Sequence, residues 1–230
     1  MMSLKSLKLL SVLTISSLSI LGSSTARAQI AKWTFETVIP NTAGPYAADI
    51  GSGSASGSHA NATAYSSPAG NGSAHSYLAN SWTPLDFWQF TASTTGSGGI
   101  KLDWDQVSSS AGPGSFSLSF STNGSTFTTV GNYSVLGNVT WSQFSPTTAT
   151  HYSYDLSAYL GLNDASTVYF RLTDISTTSA SGGTVLSSAT DRLDNFTITG
   201  SPLVVPEPGS AVLLGLGVVG FAAVRRLKKL

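Results

Sequence analysis

The side chains in this sequence that could perform acid–base chemistry are few, and the best placed are two aspartates. Asp103 and Asp105 are two residues apart, a spacing that places both carboxylates on one face of a β-strand, where they could form an acid pair. The alternative is that they are solvated strand residues flanking a buried Trp104. Asp155 is a further candidate acid, and Glu36 is the only glutamate before the C-terminal segment, although a glycosidase would usually use glutamate. The sequence therefore favours the solvated alternative.

Other kinds of catalytic or metal chemistry have no motif in the chain. It contains no G-x-S-x-G turn for an activated serine, and its histidines, His59, His75 and His151, follow no metal-binding spacing such as H-E-x-x-H. It also lacks cysteine, which excludes thiol catalysis and disulfide bonds. We therefore predict a protein that is not an enzyme, and a carbohydrate-active hydrolase based on the aspartates is the competing hypothesis.

Aromatic side chains suggest a second function, because sugar rings stack on exposed Trp and Tyr faces. The tryptophans in phase with apolar strand residues are predicted to lie in the core, and these are Trp33, Trp88 and Trp104. The candidates for a ligand-binding platform at the surface are Tyr65, Tyr77, Trp82 and Trp141. The alternative for each of the four is a packing anchor for a loop. Such a platform would make the domain a lectin-like, carbohydrate-binding module.

The elements that must position these residues are β-strands, because apolar residues recur with a period of two. No region between the two ends sustains a helical pattern, and residues 157–162 predict one helical turn at most. Half-buried strands of this kind are typical of antiparallel sheets, so the sequence predicts an all-β antiparallel β-sandwich, with a jelly roll as the favoured topology. The alternating segments are 31–37, 87–93, 100–105, 116–120, 168–173 and 195–199.

Two further segments are distinguished by their turn residues. Asn123-Gly124 lies between two strand-like runs, 115–122 and 125–130, and predicts a hairpin, since both residues tolerate a positive φ. Between Pro40 and Asn80 the alternation fails, and Gly, Ser, Ala, His and Asn predominate. We predict that this segment is a long surface excursion, ordered in part by packing on the sandwich.

Residues 1–28 are typical of a secretory signal peptide. Two lysines precede a thirteen-residue apolar run, and Ala26-Arg27-Ala28 is a small-x-small site for signal peptidase that leaves Gln29 as the first mature residue. A single domain is predicted to follow, over residues 29–200. Residues 29–205 contain four Lys or Arg and ten Asp or Glu, a formal net charge of −6, so the sequence predicts no interaction with nucleic acid.

The C-terminal residues are predicted to direct the protein to a membrane. Val205-Pro206-Glu207-Pro208 ends a short linker, 201–208, and is followed by fourteen uncharged residues, 211–224, and a terminal Arg/Lys cluster. Small residues mixed with Leu and Val predict a transmembrane helix within 209–230 whose basic end stays in the cytoplasm. This pattern resembles the PEP-CTERM sorting signal of Gram-negative bacteria, and an ordinary single-pass anchor is the alternative. The resemblance implies export, transient anchoring in the inner membrane with the ectodomain in the periplasm, and processing near the P-E-P by an exosortase.

The remaining chain also carries a series of matching segments: 31–36, 65–73, 104–106, 120–124, 154–157, 168–172 and 191–200. In these segments it resembles a recurring group of PEP-CTERM ectodomains that has no assigned activity and whose strand order is similar to that of galactose-binding-like jelly rolls. Jelly rolls of the carbohydrate-binding type often pin the first strand to the last with calcium. The resemblance therefore implies a structural Ca²⁺ held by Glu36, Asp194 and backbone carbonyls. The alternative is an ion pair in which Arg192 or Arg171 neutralises one of these carboxylates.

The two targeting segments and the missing catalytic motif together predict the function. We expect a non-enzymatic protein of the cell surface or extracellular matrix that is associated with exopolysaccharide. The expected partners are signal peptidase, an exosortase, the membrane through the C-terminal helix, and extracellular polysaccharide.

Overall fold

The computed structural model describes residues 27–60 and 65–203, and these residues form two antiparallel sheets. The strands, in chain order, are β1 (Ala28–Trp33), β2 (Tyr46–Ala47), β3 (Ile50–Gly51), β4 (Gly53–Ser58), β5 (Tyr65–Ser66), β6 (Tyr77–Asn80), β7 (Phe87–Ala92), β8 (Ser97–Ser108), β9 (Ser115–Ser121), β10 (Thr128–Ser134), β11 (His151–Asp155), β12 (Val168–Asp174) and β13 (Thr190–Pro202). A 3₁₀ turn, Leu160–Leu162, is the only helical element of the described residues. The prediction of one helical turn at most is confirmed.

The two sheets pack face to face as a β-sandwich of the jelly-roll type. One sheet has seven strands, in the order β11-β8-β13-β1-β3, with β6 pairing β13 and β5 pairing β6. The other has six strands, in the order β10-β9-β12-β7-β4-β2. Every strand pair is antiparallel, and the long strands β7, β12 and β13 largely alternate between buried and partly exposed positions, as is typical of antiparallel sheets with one solvated face. The predicted fold class is confirmed.

Aromatic rings fill the space between the sheets. Phe90 of the six-stranded sheet stacks on Phe196 of the seven-stranded sheet, with ring centroids 3.6 Å apart, and Trp33 packs edge-on against both. Trp33, Trp88 and Trp104 are fully buried, which confirms their predicted place in the core. Burying rings of this size provides much of the hydrophobic stabilisation of the sandwich.

The predicted surface excursion between Pro40 and Asn80 is wrong in one important respect, because part of it is sheet. Gly53–Ser58 forms β4, a regular strand that pairs with β7 over its whole length. Its small residues are required by packing: a side chain on Gly53 would collide with the Trp33 ring, and one on Gly57 would collide with the rings of Tyr65 and Trp88. A Gly/Ser strand of this kind shows no apolar alternation, so the sequence pattern did not reveal it.

The hairpin at Asn123-Gly124 is confirmed, although its turn is wider than two residues. β9 ends at Ser121 and β10 begins at Thr128. Gly124 has a positive φ of 73°, whereas Asn123 does not adopt a positive φ. The Asn123 side-chain oxygen instead accepts hydrogen bonds from the backbone N–H groups of Ser125 and Thr126, which closes the loop.

The two targeting segments fall largely outside the described residues. The signal peptide is described only at Arg27 and Ala28, so Ala26 lies outside, and Gln29 is already part of β1, where it pairs with Thr199. The sorting motif at Val205–Pro208 and the transmembrane helix also lie outside. Within residues 27–60 and 65–203, no helix is long and apolar enough to cross a membrane.

Candidate functional site

The outward face of the seven-stranded sheet carries most of the residues that the sequence singled out. Two loops, 67–76 and 135–150, lie over this face and are joined to each other. Asn71 and Thr147 exchange two hydrogen bonds, each 2.8 Å long, and the Gly72 N–H donates to the Ser142 carbonyl. Because loop 67–76 also bonds to β13, the two loops form one connected wall.

A pocket of about 370 Å³ opens between this wall and the sheet. Trp141 is buried in the wall, where its indole N–H donates to Thr150 Oγ1 at 2.9 Å. The Arg192 guanidinium, from β13, lies 4.7 Å from the centre of the Trp141 ring and donates to the Ala69 carbonyl at 3.0 Å. The pocket is lined by Pro68, Leu78, Val107, Ser108, Ser109, Asn138, Val139, Thr140, Trp141, Thr190 and Arg192.

Beside the pocket, several oxygen atoms converge on Gly70. A Cβ atom built on Gly70 would overlap Ser73 Oγ, the His75 carbonyl oxygen and Asp194 Oδ2, so only glycine leaves this space open. Asp194 is fully buried, and its Oδ2 accepts hydrogen bonds from the Asn71 N–H at 2.8 Å and from Ser73 Oγ at 2.6 Å. Burial raises the pKa of Asp194 to about 7 despite these bonds.

Glu36 borders the same cluster, because its Oε1 accepts a hydrogen bond from the His75 N–H at 2.8 Å. The ion pair expected as the alternative does not form as a direct salt bridge, although burial lowers the pKa of Arg192 and the charge of Asp194 acts in the opposite direction. Arg192 donates to a backbone carbonyl and Arg171 to Gln89 on the other sheet, and within the described residues neither makes a salt bridge with Glu36 or Asp194.

The oxygens around Gly70 are hydrogen-bonded to one another, because Ser73 Oγ lies 3.0 Å from the His75 carbonyl oxygen and 2.6 Å from Asp194 Oδ2. As a set they combine carboxylate, hydroxyl and carbonyl oxygens, the ligand types that Ca²⁺ prefers, around a carboxylate whose charge is otherwise costly to bury. No cluster of three or more His, Asp or Glu residues that could hold a metal occurs in the part of the chain that the structure describes. A metal here would therefore depend on neutral oxygens as well as on Asp194 and Glu36.

The aspartate pair faces outward on β8, as its spacing predicted, and His151 lies against both carboxylates. His151 Nδ1 is 3.0 Å from Asp105 Oδ1, and its Nε2 is 3.5 Å from Asp103 Oδ1. The description of Asp105 as solvated is wrong: it is buried, and its second oxygen accepts a hydrogen bond from Asn195 at 2.9 Å. Asp103 binds Lys101 Nζ at 2.8 Å. Each carboxylate therefore has partners of its own.

The third candidate acid, Asp155, lies further along the β8–β11 strand pair and does not contact Asp103 or Asp105. Asp155 lies at the end of β11 opposite Lys101, is exposed, and forms a salt bridge of 3.5 Å with Arg27. A backbone hydrogen bond from Ser157 lowers its pKa, as expected for an ionised surface carboxylate.

The surface platform predicted from the aromatic residues does not form. Tyr77 and Trp82 are buried in an aromatic cluster with His59 and Trp88, in which the Trp82 and His59 rings are 4.0 Å apart, and half-buried Tyr65 borders it. They are packing anchors: Tyr77 is directed inward by β6, and Trp82, just after this strand, is held by a hydrogen bond of 2.9 Å from its indole N–H to the Ala79 carbonyl. Trp141 is also buried, but it lines the pocket.

Sequence reasoning missed two features of this face. Phe144, three residues after Trp141 in loop 135–150, is 86% exposed, and nothing in the surrounding sequence marked it. Arg192 was considered only as a partner for a carboxylate. The alternation of β13 places it outward, but its contact with Trp141 depends on the path of a distant loop.

A buried polar network lies directly beneath the pocket. Asp191 is fully buried, and its carboxylate accepts hydrogen bonds from Trp88 Nε1 at 2.8 Å, Gln106 Nε2 at 3.1 Å and Ser108 Oγ at 3.0 Å. Burial raises its pKa to about 8, against the opposing effect of these hydrogen bonds. Since Ser108 also lines the pocket, the network supports the pocket floor.

Comparison with known proteins identifies the sorting signal. Residues 204–226 match the PEP-CTERM protein-sorting motif, which implies exosortase-dependent export and sorting to the cell envelope. The chain is therefore an exported β-sandwich protein that carries a PEP-CTERM sorting motif. No curated protein sequence matches it.

Several solved β-sandwich domains are distantly similar to the chain. The tandem CBM22-1–CBM22-2 domain of Paenibacillus barcinonensis Xyn10C is 14% identical, with a TM-score of 0.46, over 76% of this chain and 51% of that one. The CBM22-1–GH10 modules of Clostridium thermocellum Xyn10B, complexed with xylohexaose, are 13% identical (TM-score 0.45; 77% and 29% covered). The K3 cleaved adhesin domain of Lys-gingipain from Porphyromonas gingivalis is 17% identical (TM-score 0.41; 75% and 100% covered).

Proposed function

We propose that this protein is a non-catalytic component of the cell surface or extracellular matrix that binds polysaccharide in the pocket beneath Trp141. In this proposal the chain is cut after Ala28, anchored through residues 209–230 with its ectodomain in the periplasm, and severed near Pro206-Glu207-Pro208 by an exosortase. The pocket is the observation that carries the binding function. Its volume of about 370 Å³ lies within the usual range of ligand sites, roughly 300–1,000 Å³.

The chemistry of the lining favours an uncharged sugar. Trp141, Leu78 and Val107 present apolar surface, and a hydroxyl or amide side chain is contributed by Ser109, Asn138, Thr140 and Thr190. A sugar ring has apolar C–H faces and a rim of hydroxyl groups, so both kinds of surface are matched. The one charged group, Arg192, is stacked on Trp141 and donates to Ala69, which leaves it a structural part of the wall.

The same lining argues against hydrolysis. None of the described residues that line the pocket is Asp, Glu or His, the groups that would protonate a glycosidic oxygen or activate water. The paired carboxylates Asp103 and Asp105 are instead engaged with Lys101, His151 and Asn195. Binding without turnover is therefore the better supported function, and the hydrolase remains the competing hypothesis.

We also propose that a calcium ion, held by Asp194, Ser73, the His75 carbonyl and Glu36, fixes the wall of the pocket. Loop 67–76 supplies two of these groups and is hydrogen-bonded to the Trp141 loop through Asn71 and Thr147. Ion binding would order both loops before the ligand arrives, which reduces the entropy lost on binding.

The binding proposal is tested by filling the pocket. Thr140 is exposed and lines the pocket, whereas Thr148 is exposed on the same loop and does not line it. In affinity electrophoresis of the mature protein against a panel of neutral polysaccharides, we expect Thr140→Trp to weaken binding at least about tenfold and Thr148→Trp to leave it unchanged. Equal binding by wild type and Thr140→Trp would show that the pocket is not the binding site. Turnover of any of these polysaccharides that Asp105→Asn abolishes would show an enzyme.

The maturation steps have a separate test. Mass spectrometry of the surface-released protein should find Gln29 at the N-terminus and no peptide that continues from Val205 into Gly215. Peptides that run intact through this junction in the released fraction would refute processing there.

A further inference from the structure

The outward face of the six-stranded sheet differs from the rest of the domain in its charge. Strands β7 and β12 alternate strictly in burial, and β9 alternates in sequence although its outward Ser119 and Ser121 are buried. The outward side chains of the three strands carry hydroxyl, amide or aromatic groups with one exception, Arg171. None of the outward residues of these three strands is Asp or Glu. They are Phe87, Gln89, Thr91, Ser115, Ser117, Ser119, Ser121, Tyr169, Arg171 and Thr173.

The Arg171 guanidinium is held flat between two aromatic rings. Its Cζ lies 4.0 Å from the centre of the Phe87 ring and 3.8 Å from that of Phe127, which comes from the hairpin loop after β9. Its Nε donates to Gln89 Oε1 at 2.8 Å, directly across the β7–β12 pair. Stacking and this hydrogen bond fix the side chain in one orientation, so little rotamer entropy is left to lose on binding.

Among the described residues, the remaining donors of Arg171 have no partner. Within residues 27–60 and 65–203, neither Nη atom donates to an acceptor, and no carboxylate forms a salt bridge with the group. Partial burial lowers its pKa, but a guanidinium stays protonated in proteins. A half-buried, pre-oriented cation therefore presents its two-nitrogen edge on a face without acid groups.

We propose that this face is a second polysaccharide site, at which Arg171 binds the carboxylate of a uronic acid unit. The planar fork of a guanidinium matches the two oxygens of a carboxylate through paired hydrogen bonds. The rings of Phe87 and Phe127 flank the fork, and half-buried Thr173, on the same face of β12, offers a hydroxyl group to the hydroxyl groups of the same sugar.

Charge explains why an acidic polymer would bind here and not elsewhere. On the outward face of the seven-stranded sheet, Lys101 and Arg27 are already neutralised by Asp103 and Asp155, so these cations are not free to bind a polyanion. On the six-stranded sheet the polymer meets only Arg171 and neutral groups. This site is separate from the pocket beneath Trp141 and does not depend on it.

The test compares polygalacturonate and alginate with methyl-esterified polygalacturonate, using the mature protein and affinity electrophoresis. We expect wild type to bind at least one of the two polyuronates and to bind the ester at least about tenfold more weakly. Arg171→Gln should lose polyuronate binding, and Arg171→Lys should retain only part of it, because lysine keeps the charge but lacks the fork. Lys32→Gln, which removes one positive charge from the other sheet, is the matched control and should bind as wild type does.

Several results would overturn the proposal. They are failure of wild type to bind either polyuronate, unchanged binding by Arg171→Gln, or an equal loss in Lys32→Gln. If Arg171→Gln melts early, Phe127→Ala provides the second test, since it leaves Arg171 in place but removes one ring that orients it; unchanged binding would again contradict the proposal. Thr140→Trp should not affect polyuronate binding, so failure of the pocket and failure of this site are distinguishable.

Discussion

The two outward faces of the sandwich use arginine in opposite ways. On the seven-stranded sheet, Arg192 stacks on Trp141 and donates to Ala69, so it joins two loops and closes the wall of a pocket. On the six-stranded sheet, Arg171 stacks between Phe87 and Phe127 and keeps its outer nitrogens unpaired within the described chain. Stacking on an aromatic ring does not distinguish the two roles. What distinguishes them is which nitrogen the protein engages: an outer Nη atom of Arg192 donates to Ala69, whereas only the inner Nε of Arg171 donates, to Gln89.

The surroundings of the two arginines differ in the same sense. Arg192 belongs to a face with loops, buried carboxylates and an oxygen cluster, where burial lowers its pKa and the charges of Asp191 and Asp194 act in the opposite direction. Arg171 belongs to a face of regular strands without acid groups. The first face is suited to enclosing a neutral ligand, and the second to an extended anionic one.

The largest effect on stability should come from Gly70→Ala, a substitution at the outward face of the seven-stranded sheet (the first face). The added Cβ would overlap two fixed oxygens and the Ser73 hydroxyl, so we expect a loss of about 3 kcal/mol in the free energy of unfolding, or about 6–12 °C in melting temperature. Gly161→Ala is the control, because a Cβ there meets nothing within 4 Å, and it should shift stability by less than about 0.5 kcal/mol. Equal melting temperatures of the two variants would contradict the claim that the oxygens around Gly70 leave no room for a Cβ atom.

Calcium should stabilise the first face next most strongly. An ion bound only to the native state at a concentration of 100 times its Kd adds about 2.7 kcal/mol, so the melting temperature of the mature protein should rise between EDTA and millimolar calcium. Asp194→Asn should abolish the rise. Identical melts of wild type in EDTA and in calcium, with no calcium by elemental analysis, would refute the ion.

Without calcium, stability should fall as pH increases from 4 to 8. Burial raises the folded-state pKa of Asp194 to about 7 and of Asp191 to about 8, so between the unfolded value of 3.8 and these values the folded state binds more protons than the unfolded state. Their contribution is complete below the unfolded pKa and is lost as pH rises through the folded pKa, with a slope of up to about 1.4 kcal/mol per pH unit for each group.

Asp191→Asn separates this contribution from the rest of the titration. The variant should flatten the curve between pH 6 and 8 in chemical denaturation with EDTA present. A slope that stays as steep as in wild type would show that Asp191 is already ionised in the folded state.

Conservative replacement of the two arginines should give the smallest effects and the clearest contrast. Arg192→Lys loses the hydrogen bond from Nη1 to the Ala69 carbonyl and part of the contact with Trp141, which should cost about 1 kcal/mol of stability. Arg171→Lys should change stability less and polyuronate binding more. If Arg171→Lys instead lost stability and Arg192→Lys lost polyuronate binding, the structural role of Arg192 and the binding role of Arg171 would both be contradicted.

Much of the second face could be predicted from the sequence. Alternation in 87–93 and 168–173 placed Gln89 and Arg171 outward and the core residues inward, and the structure confirms these strands. The stacking of Arg171 on Phe87 and Phe127 could not be predicted, because Phe127 reaches Arg171 only through the strand order β10-β9-β12-β7. Strand order depends on contacts between distant segments, which a local pattern does not contain.

The first face was much less predictable. Asp103 and Asp105 were found as candidates from their residue type and spacing, and Asp194 from the resemblance to jelly rolls. The partners of Asp194 come from loop 67–76, whose path no periodicity specifies, and His151 and Asn195 reach Asp105 only through the pairing of distant strands. Tyr77 and Trp82 were misplaced for a related reason. Short strands in a Gly/Ser-rich segment show no alternation, so their inward direction could not be inferred.

The central claim is that the two faces bind different polysaccharides independently, and one measurement tests it directly. Wild type, Thr140→Trp and Arg171→Gln are each titrated with polygalacturonate and with a neutral polysaccharide that wild type binds. The account predicts that Thr140→Trp loses only the neutral polymer and that Arg171→Gln loses only the polyuronate, each by at least about tenfold. Loss of both polymers in one variant, or of neither in both, would contradict it.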